Sequence, residues 1–161
     1  MPGVLYAVAG KIAAGKSTRV VALAEETGGL VLSEDGWLAT LYPAQITGLE
    51  DYRRESGRLR AAMTPLIVEL FRRGETIVLD FPANTLDSRA WMRGLADAAA
   101  VEAVIHWLDV PDGVCLARLH ARNATGAHEY APTDEDFAVF TAHFVPPGGD
   151  EGFTVVRHSV D

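Results

Sequence analysis

The decapeptide A9-G-K-I-A-A-G-K-S-T18 decides how this chain is read. It follows the apolar run V4-L-Y-A-V-A9 and precedes a helical pattern that runs to about Glu26. Gly10 and Gly15 stand five apart and are followed by Lys16 and Ser17. This is G-x-x-x-x-G-K-[ST], flanked by a strand and a helix as that motif requires. Glycines let the backbone turn tightly and aim successive N–H groups at phosphate oxygens. A helix N-terminus adds a positive dipole end. Of 14 basic residues only Lys11 and Lys16 are lysine, and both lie in this stretch. A slim ammonium threads a narrow loop toward β- and γ-phosphates where a broad guanidinium fits poorly, which explains Lys16. Lys11 occupies a free position of the pattern and receives no role. Ser17 offers a hydroxyl to Mg²⁺. The expected nucleotide contacts are Gly10, Ala13, Ala14, Gly15, Lys16, Ser17 and Thr18.

Working outward, short apolar runs alternate with helical patterns. Strands are expected at Val4–Ala9, Leu30–Ser33, Thr76–Asp80, Val101–Val110 and Phe153–Arg157. Helices are expected from Lys16 to Glu26 (ended by Gly28-Gly29), over E34-D-G-W-L-A-T-L-Y42 (ended before Pro43), from Asp51 to Arg73 with Gly74 as the stop, and from Ser88 to Ala99 with Asp87 as N-cap. Two more follow, one opened by Pro111 and one behind a capping box at T133-D-E-D. This β-α-β-α rhythm implies a parallel sheet with helices on both faces. At 161 residues, the reading is one domain over 1–161. Asn123–Pro132, with Gly126 and no strong pattern, is the expected mobile segment.

Composition narrows the function. The net charge of −8 disfavours a dedicated nucleic-acid binder, which needs basic surface. No run approaches a membrane span of roughly 20 apolar residues. With Cys115 the single cysteine and no basic, apolar leader with a cleavage site, a cytoplasmic location is expected. The five histidines are scattered without metal-ligand spacing.

Four further features carry chemistry. Asp80 ends T76-I-V-L-D80, where an acidic strand end either supports Mg²⁺ beside a phosphate loop or serves as a structural cap. Asp35, in L32-S-E-D-G-W37, follows the second strand, at the edge where parallel sheets bind ligands. A carboxylate there can accept the proton of an attacking hydroxyl, or Glu34 and Asp35 can simply cap a helix. Arg118 and Arg122 are four apart on one helix face, either aimed at a transferring phosphoryl group whose charge they would neutralise or forming a solvated face. Trp37, and Arg53 in the locally basic D51-Y-R-R-E-S-G-R-L-R60, are candidate substrate contacts.

The order of these motifs, with L108-D-V-P-D-G-V-C-L-A-R-L-H-A-R-N123 and F144-V-P-P-G-G-D-E-G-F153, resembles the small predicted ATP-dependent kinases of the P-loop class. These AAA-type ATP-binding proteins are related to polynucleotide kinase, chloramphenicol phosphotransferase and zeta-toxin-type kinases. The resemblance spans nearly the whole chain. It implies a P-loop NTPase fold, a three-layer α/β/α sandwich on a five-stranded parallel sheet of order 2-3-1-4-5, with a short lid at about 118–132. It implies Mg-ATP as cosubstrate, ATP phosphates on Gly10 through Thr18, Asp35 as general base, and Arg118 and Arg122 at the lid. Polynucleotide kinases carry an arginine three residues past the base; here that position is Leu38. The expected reaction is therefore phosphoryl transfer to a hydroxyl of a small molecule. The alternatives are a polynucleotide 5′-kinase and a nucleotide-gated switch or ATPase without acceptor. Absence of lysine beyond Lys16 excludes the GTPase motif N-K-x-D.

Overall fold

The fold is that of a computed structural model, which describes residues 2–126 and 131–160. Among these residues five strands form one parallel sheet: β1 (Val4–Gly10), β2 (Leu30–Ser33), β3 (Ile77–Asp80), β4 (Glu102–Asp109) and β5 (Thr154–Ser159), in the order β2-β3-β1-β4-β5. β1 is central, with Leu5 opposite Ile77 of β3 and Gly10 opposite Leu108 of β4. The expected order is thus found, and the chain has the three-layer P-loop NTPase architecture.

Among the described residues six helices cover the sheet: α1 (Lys16–Thr27), α2 (Glu34–Leu41), α3 (Leu49–Arg72), α4 (Leu86–Ala99), α5 (Asp112–Ala124) and α6 (Asp134–His143). Strand side chains alternate between two cores, as a period of two demands. Leu5, Ala7, Ala9, Ile77, Leu79 and Ile105 pack beneath α3 and α4. Val8, Val78 and Leu108 face α1 and α5 through Val20, Leu23, Cys115 and Leu119. A sheet buried on both faces explains why its central strands are nearly continuous apolar runs.

Helix boundaries show where sequence signals compete. Asp87 is not the N-cap of α4. Thr85 is: its hydroxyl accepts the Ser88 N–H at 3.2 Å, and the Ser88 hydroxyl accepts the Thr85 N–H at 3.2 Å. This reciprocal box satisfies two orphan donors, and Asp87 falls in the first turn, where its charge favours the positive helix end. Pro111 stands one position before α5 rather than inside its first turn. The Thr133 box before α6 is present, with Asp136 as its partner. Gly28 and Gly74 stop α1 and α3 in left-handed conformations, with φ of 68° and 89°. Of the expected mobile segment, residues 127–130 lie outside the described residues. Its two ends are tied, Asn123 Nδ2 donating to the Pro132 carbonyl at 2.8 Å. No helix among the described residues is long and apolar enough to cross a membrane.

Candidate active site

The glycine stretch leaves the C-terminal end of β1 and enters α1, so the loop opens at the edge of the sheet where β2, β3 and β4 also end. Two positions set its shape. Gly15, the N-cap of α1, has φ 104°, a conformation in which a side chain would be strained. Gly10 is needed for close approach: a Cβ there would stand 3.1 Å from the Ala14 Cβ and 3.3 Å from the Leu108 Cβ. Ala13 is held at φ 63° without being glycine.

The Lys16 side chain curls back over this loop. Its Nζ donates to the Gly10 carbonyl at 2.8 Å and the Lys11 carbonyl at 3.0 Å. Burial lowers its pKa. Cys115 and the negative charges of Asp80 and Asp35 act in the opposite direction, and Arg122 adds to the lowering. The two carboxylates and one guanidinium named by sequence reasoning are therefore within electrostatic reach of the ammonium. Asp80 lies opposite Ser33 in the sheet register. Its carboxyl is pushed above the usual range by burial first, against a Ser33 hydrogen bond that favours the charged form; Asp35 raises it further and Lys16 opposes. Ser17 and Thr18 are exposed on the first turn of α1.

The adjacent carboxylates Glu34 and Asp35 divide sharply. Glu34 is 1% exposed. Its carboxylate accepts the Tyr52 hydroxyl and, at 2.8 Å, the Ser56 hydroxyl, with Arg60 Nη2 at 3.8 Å. It is a strut between α2 and α3. Asp35, the next residue, is exposed. Both sit in the first turn of α2, so each also favours the helix dipole.

On the opposite wall, α5 brings Arg118 Nη1 to within 3.4 Å of the Ala14 carbonyl. The Arg122 Nε is buried without a hydrogen-bond partner. Between α1, the end of β4 and the end of β5 lies a cavity of about 360 Å³, lined among others by Gly15, Thr18, Arg19, Leu108, Arg118 and His158. Trp37 on α2 is 41% exposed, and Arg53 on α3 is exposed. No hydrogen bond or ion pair among the described residues ties either one to the loop.

Three features escaped the sequence. Lys11 reaches across to β4–α5, donating to the Val110 carbonyl at 3.1 Å and pairing with Asp112. Asn84, between β3 and α4, bonds both polar groups of Gly10, so the Gly10 N–H points at Asn84 and not into the loop. His106 and His158 stack, with Nδ1 and Nε2 2.8 Å apart.

The donor set suits Mg²⁺, which takes hard oxygen ligands and retains water and phosphate oxygens for most of its shell. Ser17 and Asp80 supply such oxygens. Among the described residues no group of three or more His, Cys, Asp or Glu is placed to hold a metal ion.

Solved structures of the same architecture were found. A candidate kinase from Chloroflexus aurantiacus is 20% identical with a TM-score of 0.75, covering 99% of this chain and 89% of its own. Kti12 of Chaetomium thermophilum, in complex with ADP-AlF3, is 14% identical with a TM-score of 0.72, over 98% and 89% of the two chains. The Mycobacterium tuberculosis APS kinase CysC, in complex with AMPPNP and APS, is 20% identical with a TM-score of 0.63, over 99% and 90%. No curated protein matches the chain. The model of the AAA domain family AAA_33 matches residues 5–147, from β1 past α6, and the chain belongs to that family.

Proposed function

We propose that the protein moves the γ-phosphoryl group of Mg-ATP to a hydroxyl of a small-molecule acceptor. One observation supports this reading: the exposed Asp35 acts electrostatically on both the Lys16 ammonium of the glycine loop and the Asp80 carboxyl. The solved relatives of this fold that are kinases add support at the level of architecture.

The nucleoside occupies the cavity between α1, β4 and β5, and the phosphates lie over residues 13–18. Lys16 exchanges its two loop carbonyls for phosphate oxygens. Asp35 accepts the proton as the acceptor oxygen bonds to phosphorus and the bond to the β-phosphate oxygen breaks, leaving ADP. Arg118 and Arg122 meet the charge that develops on the transferring group. Ser17 and Asp80 would hold Mg²⁺, which would supply positive charge against the phosphates. Trp37, on the same helix as Asp35, and Arg53, on α3, offer a stacking face and a cation to the acceptor. A small acceptor is favoured over a polynucleotide because Leu38 is packed in the core, 5% exposed, with no arginine in its place, and because the chain carries a net charge of −8.

The test is ADP release with ATP and Mg²⁺ in the presence of sugars, nucleosides, aminoglycosides and a 5′-hydroxyl oligonucleotide. Acceptor-dependent release with a small molecule, abolished in Asp35→Asn, is expected. Stimulation by the oligonucleotide alone, or ATP turnover that Asp35→Asn leaves unchanged, would overturn the proposal.

A further inference from the structure

One side chain holds both polar groups of the residue that opens the loop. The Gly10 N–H donates to Asn84 Oδ1 at 2.9 Å, and Asn84 Nδ2 donates back to the Gly10 carbonyl at 2.8 Å. That carbonyl also accepts Lys16 Nζ, at 2.8 Å. An amide carbonyl has two lone pairs, and here both are used. Asn84 is itself firmly seated. Its own carbonyl accepts the Val145 N–H at 2.8 Å. The preceding carbonyl, Ala83, accepts from Arg89 Nη1 at 2.9 Å, and the same nitrogen holds the Val145 carbonyl at 2.8 Å. Arg89 is in turn paired with Glu151 at 2.7 Å. The amide that grips Gly10 is thus fixed from its own backbone outward.

We propose that Asn84 is a positioning residue for Lys16: it keeps the Gly10 carbonyl satisfied after the ammonium departs, and so eases transfer of Lys16 from the loop to a phosphate. This rests on the proposed role of Lys16 in holding ATP. The physical reason is the asymmetry of buried hydrogen bonds. A buried carbonyl stripped of every donor is penalised far more than a bond is rewarded. With Asn84 in place, Lys16 leaves behind an oxygen that still accepts one bond. Without it, moving Lys16 strands that oxygen, and the parked state is favoured. The grip also fixes two successive peptide planes at a glycine, the residue least able to fix them itself.

The experiment is calorimetric binding of Mg-AMPPNP and of AMP to the wild-type chain, Asn84→Ala, Asn84→Asp, Lys16→Ala and the Lys16→Ala/Asn84→Ala double variant. Asn84→Ala should weaken AMPPNP about tenfold and leave AMP within about twofold, because AMP offers Lys16 no β- or γ-phosphate. In the Lys16→Ala background the same change should cost less than about twofold, the signature of two residues acting through one contact. Asn84→Asp keeps an acceptor for the Gly10 N–H but replaces the donor with an anion beside the parked ammonium. It should weaken AMPPNP at least as much, and it reads the same effect if the alanine variant does not fold. Loss of AMPPNP affinity that adds in full to that of Lys16→Ala, or variants that bind AMPPNP as the wild type does, would overturn this inference alone. A wild-type chain that binds no AMPPNP would overturn the proposed function and this inference with it.

Discussion

Glu34 and Asp35 are neighbours in sequence and should fail in opposite ways. Glu34 anchors α2 to α3, receiving the Tyr52 and Ser56 hydroxyls with Arg60 close by, in a site 1% exposed. Glu34→Ala leaves the buried Ser56 hydroxyl and the half-buried Tyr52 hydroxyl without their acceptor and a guanidinium without its counter-charge. Breaking a buried set of this kind costs about 3–5 kcal/mol. For a chain of this size each kcal/mol shifts Tm by roughly 2–4 °C, so the melting point should fall by about 6–20 °C. Asp35 is exposed, and Asp35→Asn should change stability by no more than about 0.5 kcal/mol. If Asp35 takes the acceptor proton, the same change should lower kcat by about 10²–10⁴. Thermal melts and an ADP-release assay on both variants separate the two outcomes. A Glu34→Ala protein that melts with the wild type would refute the strut. An Asp35→Asn enzyme within threefold of wild-type kcat would refute the base.

Three further outcomes are expected. Lys16→Arg should lower turnover by about 10²–10³, because the ammonium fits between the Gly10 and Lys11 carbonyls where a planar fork does not; near-wild-type kinetics would remove the argument for lysine. Arg122→Ala should lower kcat more than it raises the ATP KM, since the charge it meets develops only during transfer; steady-state kinetics showing a pure KM effect would make it a ground-state contact. His106 is held down to about 4 by burial, by His158 and by Arg19, with Glu26 opposing. A depressed histidine favours the neutral folded form, so its contribution is complete above the ordinary value near 6.5 and is lost as pH falls toward 4. Urea midpoints at pH 7 and pH 4.5 should drop less for His106→Asn than for the wild type, and an equal drop would exclude this group as the cause.

The sequence carried the loop well because its constraint is local: Gly10, Gly15, Lys16 and Ser17 lie within eight residues and need one another. The Thr133 box was legible for the same reason. The N-cap of α4 was misplaced because Thr85 and Asp87 are both good caps, and only the reciprocal bond to Ser88 separates them. What no local pattern reveals is pairing across the sheet. Asn84 meets Gly10 over 74 positions, Lys11 meets Asp112 over 101, and Arg89 meets Glu151 over 62. Nor did spacing tell Glu34 from Asp35. That distinction comes from α3 docking against one face of α2, which turns one carboxylate inward and leaves the other in water.

The central position of β1 has a consequence for how the protein is made. The strand precedes both of its neighbours in the chain, which are Ile77–Leu79 on one side and Glu102–Leu108 on the other. Parallel neighbours always arrive late, since each needs a crossover between them. Gly10 also waits for Asn84 to hold it and for Leu108 to pack against it. A nascent chain that reaches only residue 75 therefore carries the whole glycine motif but neither of the strands that flank β1. A nucleotide that stabilises the finished protein by mass action has nothing to grip until β4 is complete. Ligand binding cannot guide the early steps of folding here; it can only lock a sheet that has already closed.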